Sequence, residues 1–342
     1  MIKVGIIGGT GYTGVELLRL LAIHPLVDIK VITSRSEKGR AVSDLFPSLR
    51  GKVDIAFSEP DIALFKQCDV VFSATPNGVL MNYARELNTA GVKLIDLAAD
   101  FRLQDIKTWE QWYGMKHACP ELVKQAIYGM PEVNRESIKD ATIIANPGCY
   151  VTATTLALLP LVESKTIDLS GIVVDAKSGV TGAGRAANVG TLYSEVTDSF
   201  KAYAVGGHRH HPEITQNLTI AAGELVGLTF VPHLTPMQRG IHATIYVDAI
   251  DTADLASIYQ ERYASEPFID ILAEDTFPET RFVRGSNMCQ IAFCQPKVGE
   301  KTVLMSVIDN LTKGAAGQAV HNLNIMFGFD EELGITAPAM MP

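Results

Sequence analysis

The chain has 342 residues, of which 47% are hydrophobic and 20% are charged, the balance of an ordinary globular protein of about two domains. The formal net charge of −9 argues against a protein that binds a nucleic-acid backbone, because such proteins carry a basic face. No apolar run reaches the roughly 18 residues of a membrane span, and no signal peptide is recognisable. We therefore expect a cytoplasmic protein without nucleic-acid or membrane partners.

The first half of the chain alternates apolar strands with helices. Residues 2–7 predict a strand, the loop GGTGYTG follows over 8–14, and residues 15–24 predict an amphipathic helix that ends before Pro25. The other predicted elements of this half are strands over 27–33, 69–75, 92–98 and 141–147 and a helix over 79–90. Strands that are apolar throughout are typical of a parallel sheet with helices on both faces. This order predicts an α/β domain with a doubly wound, Rossmann-type sheet.

From about Tyr150 the pattern becomes that of an α+β domain. A helix is predicted over 150–163 and a strand over 171–178, followed by a Gly-rich loop. Later segments alternate like antiparallel strands with one covered face, namely 224–234, 240–250, 289–296 and 302–309. Residues 313–329 have helical periodicity. We expect a first domain over 1–149, completed by a C-terminal helix over 313–342, and a second domain over 150–312.

The glycine loop between the first strand and the first helix predicts a dinucleotide site. Gly8, Gly11 and Gly14 have the spacing G-x-x-G-x-x-G, and the strand–loop–helix context supports the motif. Glycines let the backbone approach a pyrophosphate, and the helix N-terminus offers N–H groups and a positive dipole end. The predicted cofactor-binding residues of this loop are Gly8, Thr10, Gly11, Tyr12, Thr13 and Gly14.

The end of the second strand favours NADP over NAD. An NAD site usually places Asp or Glu there to bind the ribose hydroxyls, whereas an arginine accommodates a 2′-phosphate. This strand ends in Ser34, Arg35 and Ser36, without an acid at that position. We therefore predict that these three residues bind the cofactor, together with Pro76 after the next strand.

Cys149 stands apart from the other four cysteines. The odd count of five does not suggest a disulfide framework, and no pair has the spacing of metal ligands. In ANPGCY, residues 145–150, a strand ends, Pro and Gly make a turn, and a helix begins. A cysteine at a helix N-terminus is shifted toward its thiolate, and ligands bind at the carboxyl edge of parallel sheets. The sequence therefore predicts a nucleophile that attacks an acyl carbon.

An acid/base partner is predicted in the segment GHRHHPE, residues 207–213, which holds three of the eight histidines. His208 and His210 are the first choices for proton transfer, and His233 is the second choice. The segment also offers charges for an anionic group. No Cys or Asp pattern accompanies it, so we predict no metal site.

Several motifs together resemble the N-acetyl-gamma-glutamyl-phosphate reductase family (type 1), which is related to aspartate-semialdehyde dehydrogenase. The resemblance runs essentially from end to end. Its motifs are GGTGYTG, SATPNG, DLAADFRL, YGMPE, ANPGCY, DAKSGVTGAGR, GGHRHHPEI, PHLTPMQRGI and DNLTKGAAGQAV. The resemblance implies an NADP-dependent oxidoreductase of arginine biosynthesis with a Rossmann domain and an α+β substrate and dimerisation domain. It also implies a homodimer or homotetramer assembled through strands of the second domain.

The resemblance implies roles for single residues as well. Cys149 would be the nucleophile that forms a thioester, the segment from His208 to Glu213 and Arg239 would face the substrate, and Asn310 would hold the nicotinamide amide. Arg102 and Arg209 are candidates for holding a phosphate or a carboxylate. Ser178 and Gly179 are expected to line the same pocket. His210 or His208 would transfer the proton, and the choice between them stays open.

The sequence leaves two alternative functions. The first is a neighbouring semialdehyde dehydrogenase that acts on aspartyl phosphate or on a carrier-bound aminoadipyl phosphate. The second is a non-catalytic NADP-sensing regulator, which would have no use for a cysteine at a helix start or for the clustered histidines. Alkylation of Cys149 and assays with the three acyl phosphates distinguish these possibilities.

Overall fold

The computed structural model describes residues 1–250 and 254–341. The chain divides into two units. Unit 1 comprises Met1–Pro147 and Ala315–Thr336, and unit 2 comprises Gly148–Gly314 and the tail from Ala337. The tail was expected to complete the first domain, but it belongs to unit 2.

Unit 1 is built on a six-stranded sheet. In chain order the strands are β1 (Ile2–Ile7), β2 (Val27–Thr33), β3 (Val70–Ser73), β4 (Lys93–Asp96), β5 (Ile127–Tyr128) and β6 (Ile143–Ala145). They are hydrogen-bonded in the order β2-β1-β3-β4-β6-β5, and each pairing is parallel. The chain winds from β1 to β2 on one side and to β3 on the other, so a crevice is expected at the carboxyl end of β1. The predicted Rossmann-type sheet is confirmed, although the short β5 was not predicted.

Up to residue 147, unit 1 also contains helices. They are α1 (Tyr12–Leu21), α2 (Val42–Leu45), α3 (Ile62–Phe65), α4 (Ala84–Thr89), α5 (Ile106–Tyr113), α6 (Pro120–Val123) and α7 (Pro131–Lys139). The helix predicted over 79–90 was wrong in its first part, because Leu80–Asn82 form a separate 3₁₀ turn before α4. The carboxylate of Asp100 accepts the N–H groups of Gly78 and Met81, which stabilises that separate turn.

Unit 2 contains a seven-stranded mixed sheet. In chain order its strands are β7 (Ile172–Gly179), β8 (Lys201–Ala202), β9 (Leu228–Thr235), β10 (Ile241–Asp248), β11 (Ile269–Ile271), β12 (Cys289–Cys294) and β13 (Lys301–Ile308). The hydrogen-bonded order is β11-β12-β13-β10-β7-β9-β8. The α+β prediction is confirmed, but the prediction that β9 is antiparallel was wrong for its pairing with β7, which is parallel. The reason is the helix in the connection from β7 to β9, since such crossovers join parallel strands.

The helices of unit 2 are α8 (Cys149–Glu163), α9 (Tyr193–Val196), α10 (His210–Ala222) and α11 (Leu255–Tyr263). Residues 150–162 of α8 are all buried, as expected for a helix that is apolar on every side. Pro160 lacks the N–H that would bond the carbonyl of Leu156, and the Tyr263 hydroxyl donates to that carbonyl instead (2.5 Å). The core of unit 2 therefore forms around α8, with Cys149 at its first position.

The C-terminal helix α12 (Gly317–Met326) belongs to unit 1, where it packs against α1 and α7. A helix over the whole of 313–342 was wrong, because a π-helical turn, Thr312–Ala316, precedes α12 and residues 335–341 contain no helix. Within residues 1–250 and 254–341, no helix is long and apolar enough to cross a membrane.

Candidate active site

The glycine loop of unit 1 joins β1 to α1 in the predicted way. Gly8 has φ +84°, and a Cβ there would lie 2.7 Å from the carbonyl oxygen of Ala74. A Cβ on Gly14 would lie 2.8 Å from the carbonyl oxygen of Gly8, so these two glycines are required by the packing of the loop itself. At Gly11, by contrast, a Cβ would meet no atom within 4 Å. The structure therefore leaves open space in front of the middle glycine.

The start of α1 fits a pyrophosphate. Gly11 is the N-cap residue and has no side chain to cap the first turn, and that turn carries no acidic residue. Free N–H donors at a helix N-terminus bind anions well. The residues present therefore fit a dinucleotide cofactor.

The strand end predicted to bind a 2′-phosphate has the expected polarity. Ser34 is buried, Arg35 and Ser36 are exposed, and the two serine hydroxyls lie 3.3 Å apart. The nearby carboxylate of Glu37 is paired with Arg40 (3.0 Å). One cation and two hydroxyls at this strand end fit NADP. Pro76 is exposed in the loop after β3.

Arg102 lies in a buried charge cluster of unit 1. Its Nη2 donates to the carbonyl of Leu97 (2.9 Å), and its charge acts on Asp96 and Asp100. Burial raises the pKa of each of these two carboxyls above the usual range, and the increase is larger for Asp96. These contacts favour a structural role for Arg102, and its predicted contact with substrate stays a prediction.

Cys149 is the first residue of α8, and Gly148 is its extended N-cap residue (φ −70°, ψ 148°). The prediction that this cysteine begins a helix is confirmed. The N–H of Gly148 donates to Oε1 of Glu213 (2.9 Å), whose side chain is only 1% exposed. This oxygen of Glu213 therefore holds the turn before Cys149, and the predicted contact of Glu213 with substrate stays a prediction.

The histidine segment does not form a polar loop throughout, since α10 begins at His210. His208 is enclosed by rings, with centroid distances of 5.7 Å to Tyr150, 5.7 Å to Tyr203, 5.5 Å to Phe230 and 4.8 Å to His210. The N–H of His210 donates to Nδ1 of His208 (3.1 Å), so the proton of a neutral His208 lies on Nε2. Burial, assisted by the charge of Arg209, lowers the pKa of His208 to about 4.

Two tyrosines of this cluster were missed by sequence reasoning. The Tyr203 hydroxyl donates to the Tyr150 hydroxyl (3.1 Å), which donates to the carbonyl of His233 (3.2 Å). Burial raises the pKa of Tyr150 far above its usual range and the pKa of Tyr203 to about 12, so both stay protonated. Tyr150 adjoins Cys149 in sequence, which was the available signal, but nothing in the sequence connects Tyr203 to it.

The second-choice histidine has other ring contacts. Nδ1 of His233 lies 3.0 Å from Asp175, and its ring stacks on Phe200 at 5.0 Å and 11°. The ring of His210 instead packs against the ring of Tyr150, the residue that follows Cys149, with a centroid distance of 5.9 Å. Both histidines thus contact Tyr150, His210 through its ring and His233 through its carbonyl, and the role of His210 as the acid/base stays a prediction. Arg209 is exposed immediately before α10.

The remaining predicted residues meet at one end of the unit 2 sheet. Ser178 is buried, with its hydroxyl donating to the carbonyl of Gly179 (3.0 Å), and a Cβ on Gly179 would lie 2.7 Å from the carbonyl oxygen of Gln238. Asn310 accepts the N–H of Gly240 (2.8 Å) and donates to Thr181 (3.0 Å). Both ends of its amide thus have partners within the protein, and a bond to nicotinamide stays a prediction.

The guanidinium of Arg239 forms a two-pronged ion pair with Asp309 (2.8 and 2.9 Å), and its predicted position facing the substrate stays a prediction. It also lines a cavity of about 460 Å³ with Arg281 and Arg284. Among residues 1–250 and 254–341, no three His, Cys, Asp or Glu side chains are grouped as metal ligands.

Comparisons with known proteins agree with this two-part design. Residues 3–141 match the family model described as semialdehyde dehydrogenase, NAD binding domain, and residues 149–310 match semialdehyde dehydrogenase, dimerisation domain. The N-acetyl-gamma-glutamyl-phosphate reductase of Nitrosospira multiformis is 60% identical over 342 residues, with 100% of both chains covered. The protein of the same name from Laribacter hongkongensis is 59% identical, again over 100% of both chains.

Among solved structures, aspartate semialdehyde dehydrogenase II of Vibrio cholerae, complexed with ASA, matches with a TM-score of 0.74. It is 18% identical, and the match covers 96% of this chain and 98% of that one. At this identity the likeness shows the fold alone. The predicted resemblance and the semialdehyde dehydrogenase type of fold are confirmed by these matches.

Proposed function

The chain belongs to the N-acetyl-gamma-glutamyl-phosphate reductase family of semialdehyde dehydrogenases, and from this premise we propose that its unit 2 performs covalent catalysis on Cys149. The reaction reduces N-acetyl-L-glutamyl 5-phosphate to N-acetyl-L-glutamate 5-semialdehyde and phosphate, a step of arginine biosynthesis. The position of Cys149 at the first residue of α8, with Glu213 holding the preceding N–H, carries the proposal.

Cys149 attacks the acyl carbon as a thiolate, which the dipole of α8 stabilises. A carbon–sulfur bond forms, the carbon–oxygen bond to phosphate breaks, and phosphate leaves with the bonding electrons. When bound, NADPH supplies the hydride that reduces the thioester carbon. The thiohemiacetal then collapses, the sulfur takes back its electron pair, and the aldehyde leaves. The net reaction takes up one proton, which ends on the phosphate.

His210 serves as the acid/base in this scheme. It protonates the alkoxide oxygen as the thiohemiacetal forms and removes the proton as the carbonyl forms again. His208 is a poor proton donor at neutral pH, because its pKa is lowered to about 4. We assign His208 a positioning role, since its Nδ1 accepts the N–H of His210 at the start of α10.

The anionic parts of the substrate need donors. Arg209, which is exposed beside the histidines, is proposed to bind the phosphate or the carboxylate. Ser178 and Gly179 are proposed to line the pocket. The N–H of Cys149 at the start of α8 is proposed as one donor to the oxyanion.

The cofactor is NADP in this proposal. Open space at Gly11, the uncapped start of α1 and the cation of Arg35 support it. Gly8, Thr10, Tyr12, Thr13, Gly14, Ser34, Ser36 and Pro76 complete the proposed binding residues, with Asn310 proposed for the nicotinamide amide.

The assembly is a homo-oligomer, in line with the match to a dimerisation domain. We propose a homodimer or homotetramer in which strands of the unit 2 sheet meet, because alternate residues of β10 are only half buried on one face. Light scattering at micromolar concentration measures this directly. The cytoplasmic location stays a prediction, as do the expected lack of nucleic-acid and membrane partners.

A burst of phosphate release tests the covalent step without the cofactor. With acyl phosphate alone, the enzyme is expected to release about one equivalent of phosphate per Cys149 and then stop, because the thioester has no hydride donor. Absence of a burst in an enzyme that turns over with NADPH would contradict the thioester.

A side-by-side assay tests the substrate and the cofactor. It compares N-acetylglutamyl, aspartyl and carrier-bound aminoadipyl phosphates, each with NADPH and with NADH. We expect the highest kcat/KM for N-acetylglutamyl phosphate with NADPH.

A further inference from the structure

Asp309 directly follows β13, and its buried carboxylate accepts five hydrogen bonds. Oδ1 accepts the N–H groups of Leu311 (2.8 Å) and Thr312 (3.0 Å) and Nη2 of Arg239 (2.9 Å). Oδ2 accepts Nε of Arg239 (2.8 Å) and the N–H of Gly285 (2.7 Å). This carboxylate thus joins three segments by hydrogen bonds: the turn that follows it, the β9–β10 connection and the segment before β12.

Arg239 is the cationic partner of this carboxylate and is 17% exposed. The planar fork of its guanidinium matches the two carboxylate oxygens, and Nη2 also donates to the Thr312 hydroxyl (3.0 Å). Lysine has no such fork and would satisfy one oxygen at a time. Because Asp309 is fully buried, loss of the guanidinium would leave its charge poorly compensated.

The turn that Asp309 fixes ends against the nucleophile. The carbonyl of Asp309 accepts the N–H of Gly314 (2.9 Å), which closes the turn over residues 309–314. A Cβ on Gly314 would lie 2.8 Å from Cβ of Cys149 and 3.3 Å from its Cα. The backbone of Gly314 therefore packs directly on Cys149, without room for a side chain.

Asn310 ties the same turn to the loop that follows β7. Its amide bridges the N–H of Gly240 and the hydroxyl of Thr181. The 309–314 turn is therefore fixed both by the Asn310 amide and by the ion pair between Asp309 and Arg239. A shift of Asp309 would be transmitted to Gly314, because the carbonyl of Asp309 accepts the N–H of Gly314.

We propose that Arg239 and Asp309 are positioning residues: their ion pair fixes the 309–314 turn and, through Gly314, the side chain of Cys149. The inference rests on the proposed function, in which Cys149 is the nucleophile. The competing role for Arg239 is direct contact with an anionic substrate, because it also lines the cavity that holds Arg281 and Arg284.

Alkylation of Cys149 in the absence of substrate separates the two roles. The full chain is treated with iodoacetamide at pH 7, and the labelled peptide is followed by mass spectrometry for wild type, Arg239→Met, Arg239→Lys and Arg281→Met. Positioning predicts that Arg239→Met slows labelling about tenfold or more, with a similar loss in kcat, because small displacements of reacting atoms cost large rate factors. Arg239→Lys is expected to fall between Arg239→Met and wild type.

Arg281→Met is the matched control. Arg281 lines the same cavity, but its side chain pairs with Glu279 rather than with Asp309. It is expected to label like wild type. Labelling of Arg239→Met at the wild-type rate, with only KM raised, would overturn the positioning role and support substrate contact. If wild-type Cys149 itself reacts no faster than a free thiol, the proposed thiolate function fails instead, which is a distinguishable result.

Gly314→Ala keeps the inference testable if the Arg239 variants do not fold. Its methyl group would lie 2.8 Å from Cβ of Cys149 and 3.3 Å from the carbonyl oxygen of Asp309, but it removes neither charge of the ion pair. Labelling and kcat should therefore fall by a similar factor in protein that circular dichroism shows to be folded. Gly171→Ala is the glycine control, because a Cβ there would have its nearest neighbour at 3.4 Å. Wild-type labelling and kcat in a folded Gly314→Ala would overturn the inference.

Discussion

The glycine loop of unit 1 and the Cys149 site of unit 2 show two ways of building a site from sequence. The loop is local: within seven residues, Gly8 supplies a positive φ and Gly14 allows close packing against Gly8. The Cys149 site is assembled from segments far apart in the chain, since Gly148 bonds Glu213 and Cys149 packs on Gly314. Substitutions in the loop should therefore change the binding of one ligand only. Substitutions around Cys149 should have effects on kcat that are not additive, because the residues contact one another.

Cys149→Ser should give the largest effect. A hydroxyl is a far weaker nucleophile than a thiolate at neutral pH, so kcat should fall by roughly 10³-fold or more. The phosphate burst should vanish as well, whereas NADPH binding, measured by fluorescence, should be retained. Turnover near that of wild type would refute the covalent mechanism.

His210→Asn should give the next effect and separates the two histidines. Loss of an acid/base group lowers kcat by about 10²- to 10⁴-fold, with KM little changed. His208→Asn should lower kcat less, because neutral His208 acts through its bond to the N–H of His210. If His208→Asn proves the more damaging of the two, the assignment of the proton to His210 is wrong.

Glu213→Ala tests the long-range part of the Cys149 site. The N–H of Gly148 loses a charged acceptor, and at about 1.5–3 kcal/mol for such a bond kcat should fall about 10- to 100-fold. Glu213→Gln should recover part of the loss, because the amide oxygen still accepts. Glu224→Ala, on an exposed glutamate, is the control. A raised KM with unchanged kcat would restore the predicted contact with substrate.

Arg35→Ala tests the local site. Removal of the cation should raise the KM for NADPH about tenfold and leave the KM for NADH unchanged, because the 2′-phosphate is the difference between them. Arg50→Ala, an exposed arginine of the same unit, is the control. Equal effects on both cofactors would argue against a 2′-phosphate contact.

The smallest expected effect concerns the pH dependence of stability. The pKa of His208 is about 4 in the folded chain, against 6.5 for an unperturbed histidine. As pH falls below 6.5 the unfolded state binds a proton that the folded state does not, so stability is lost between about pH 6.5 and 4. Between pH 7 and 5 this amounts to about 2 kcal/mol at most. Urea titrations of wild type and His208→Asn should differ in this window, and equal pH slopes would contradict the depressed pKa.

Much of the fold followed from short-range patterns. The apolar runs that became β1 to β4 and β6 identified the parallel sheet, and the ANPGCY turn placed Cys149 at a helix start, because strand, turn and helix signals lie within a few residues. Pairing was harder: β9 alternates like an antiparallel strand, yet pairs in parallel with β7, since alternation reports which face is covered and not the direction of the neighbour.

The candidate active site also combines features set by nearby residues with features set by contacts between distant segments. The sequence by itself determined the positions of the glycine loop, of the cysteine at the start of α8 and of the histidine segment. Each of these features depends on residues only a few positions apart in the chain. Only the tertiary structure decided that Glu213 bonds the turn before Cys149, that Arg239 pairs with Asp309, and that Tyr203 reaches Tyr150. These are contacts between segments distant in sequence, and a charged or polar side chain carries no local mark of the partner that folding brings to it.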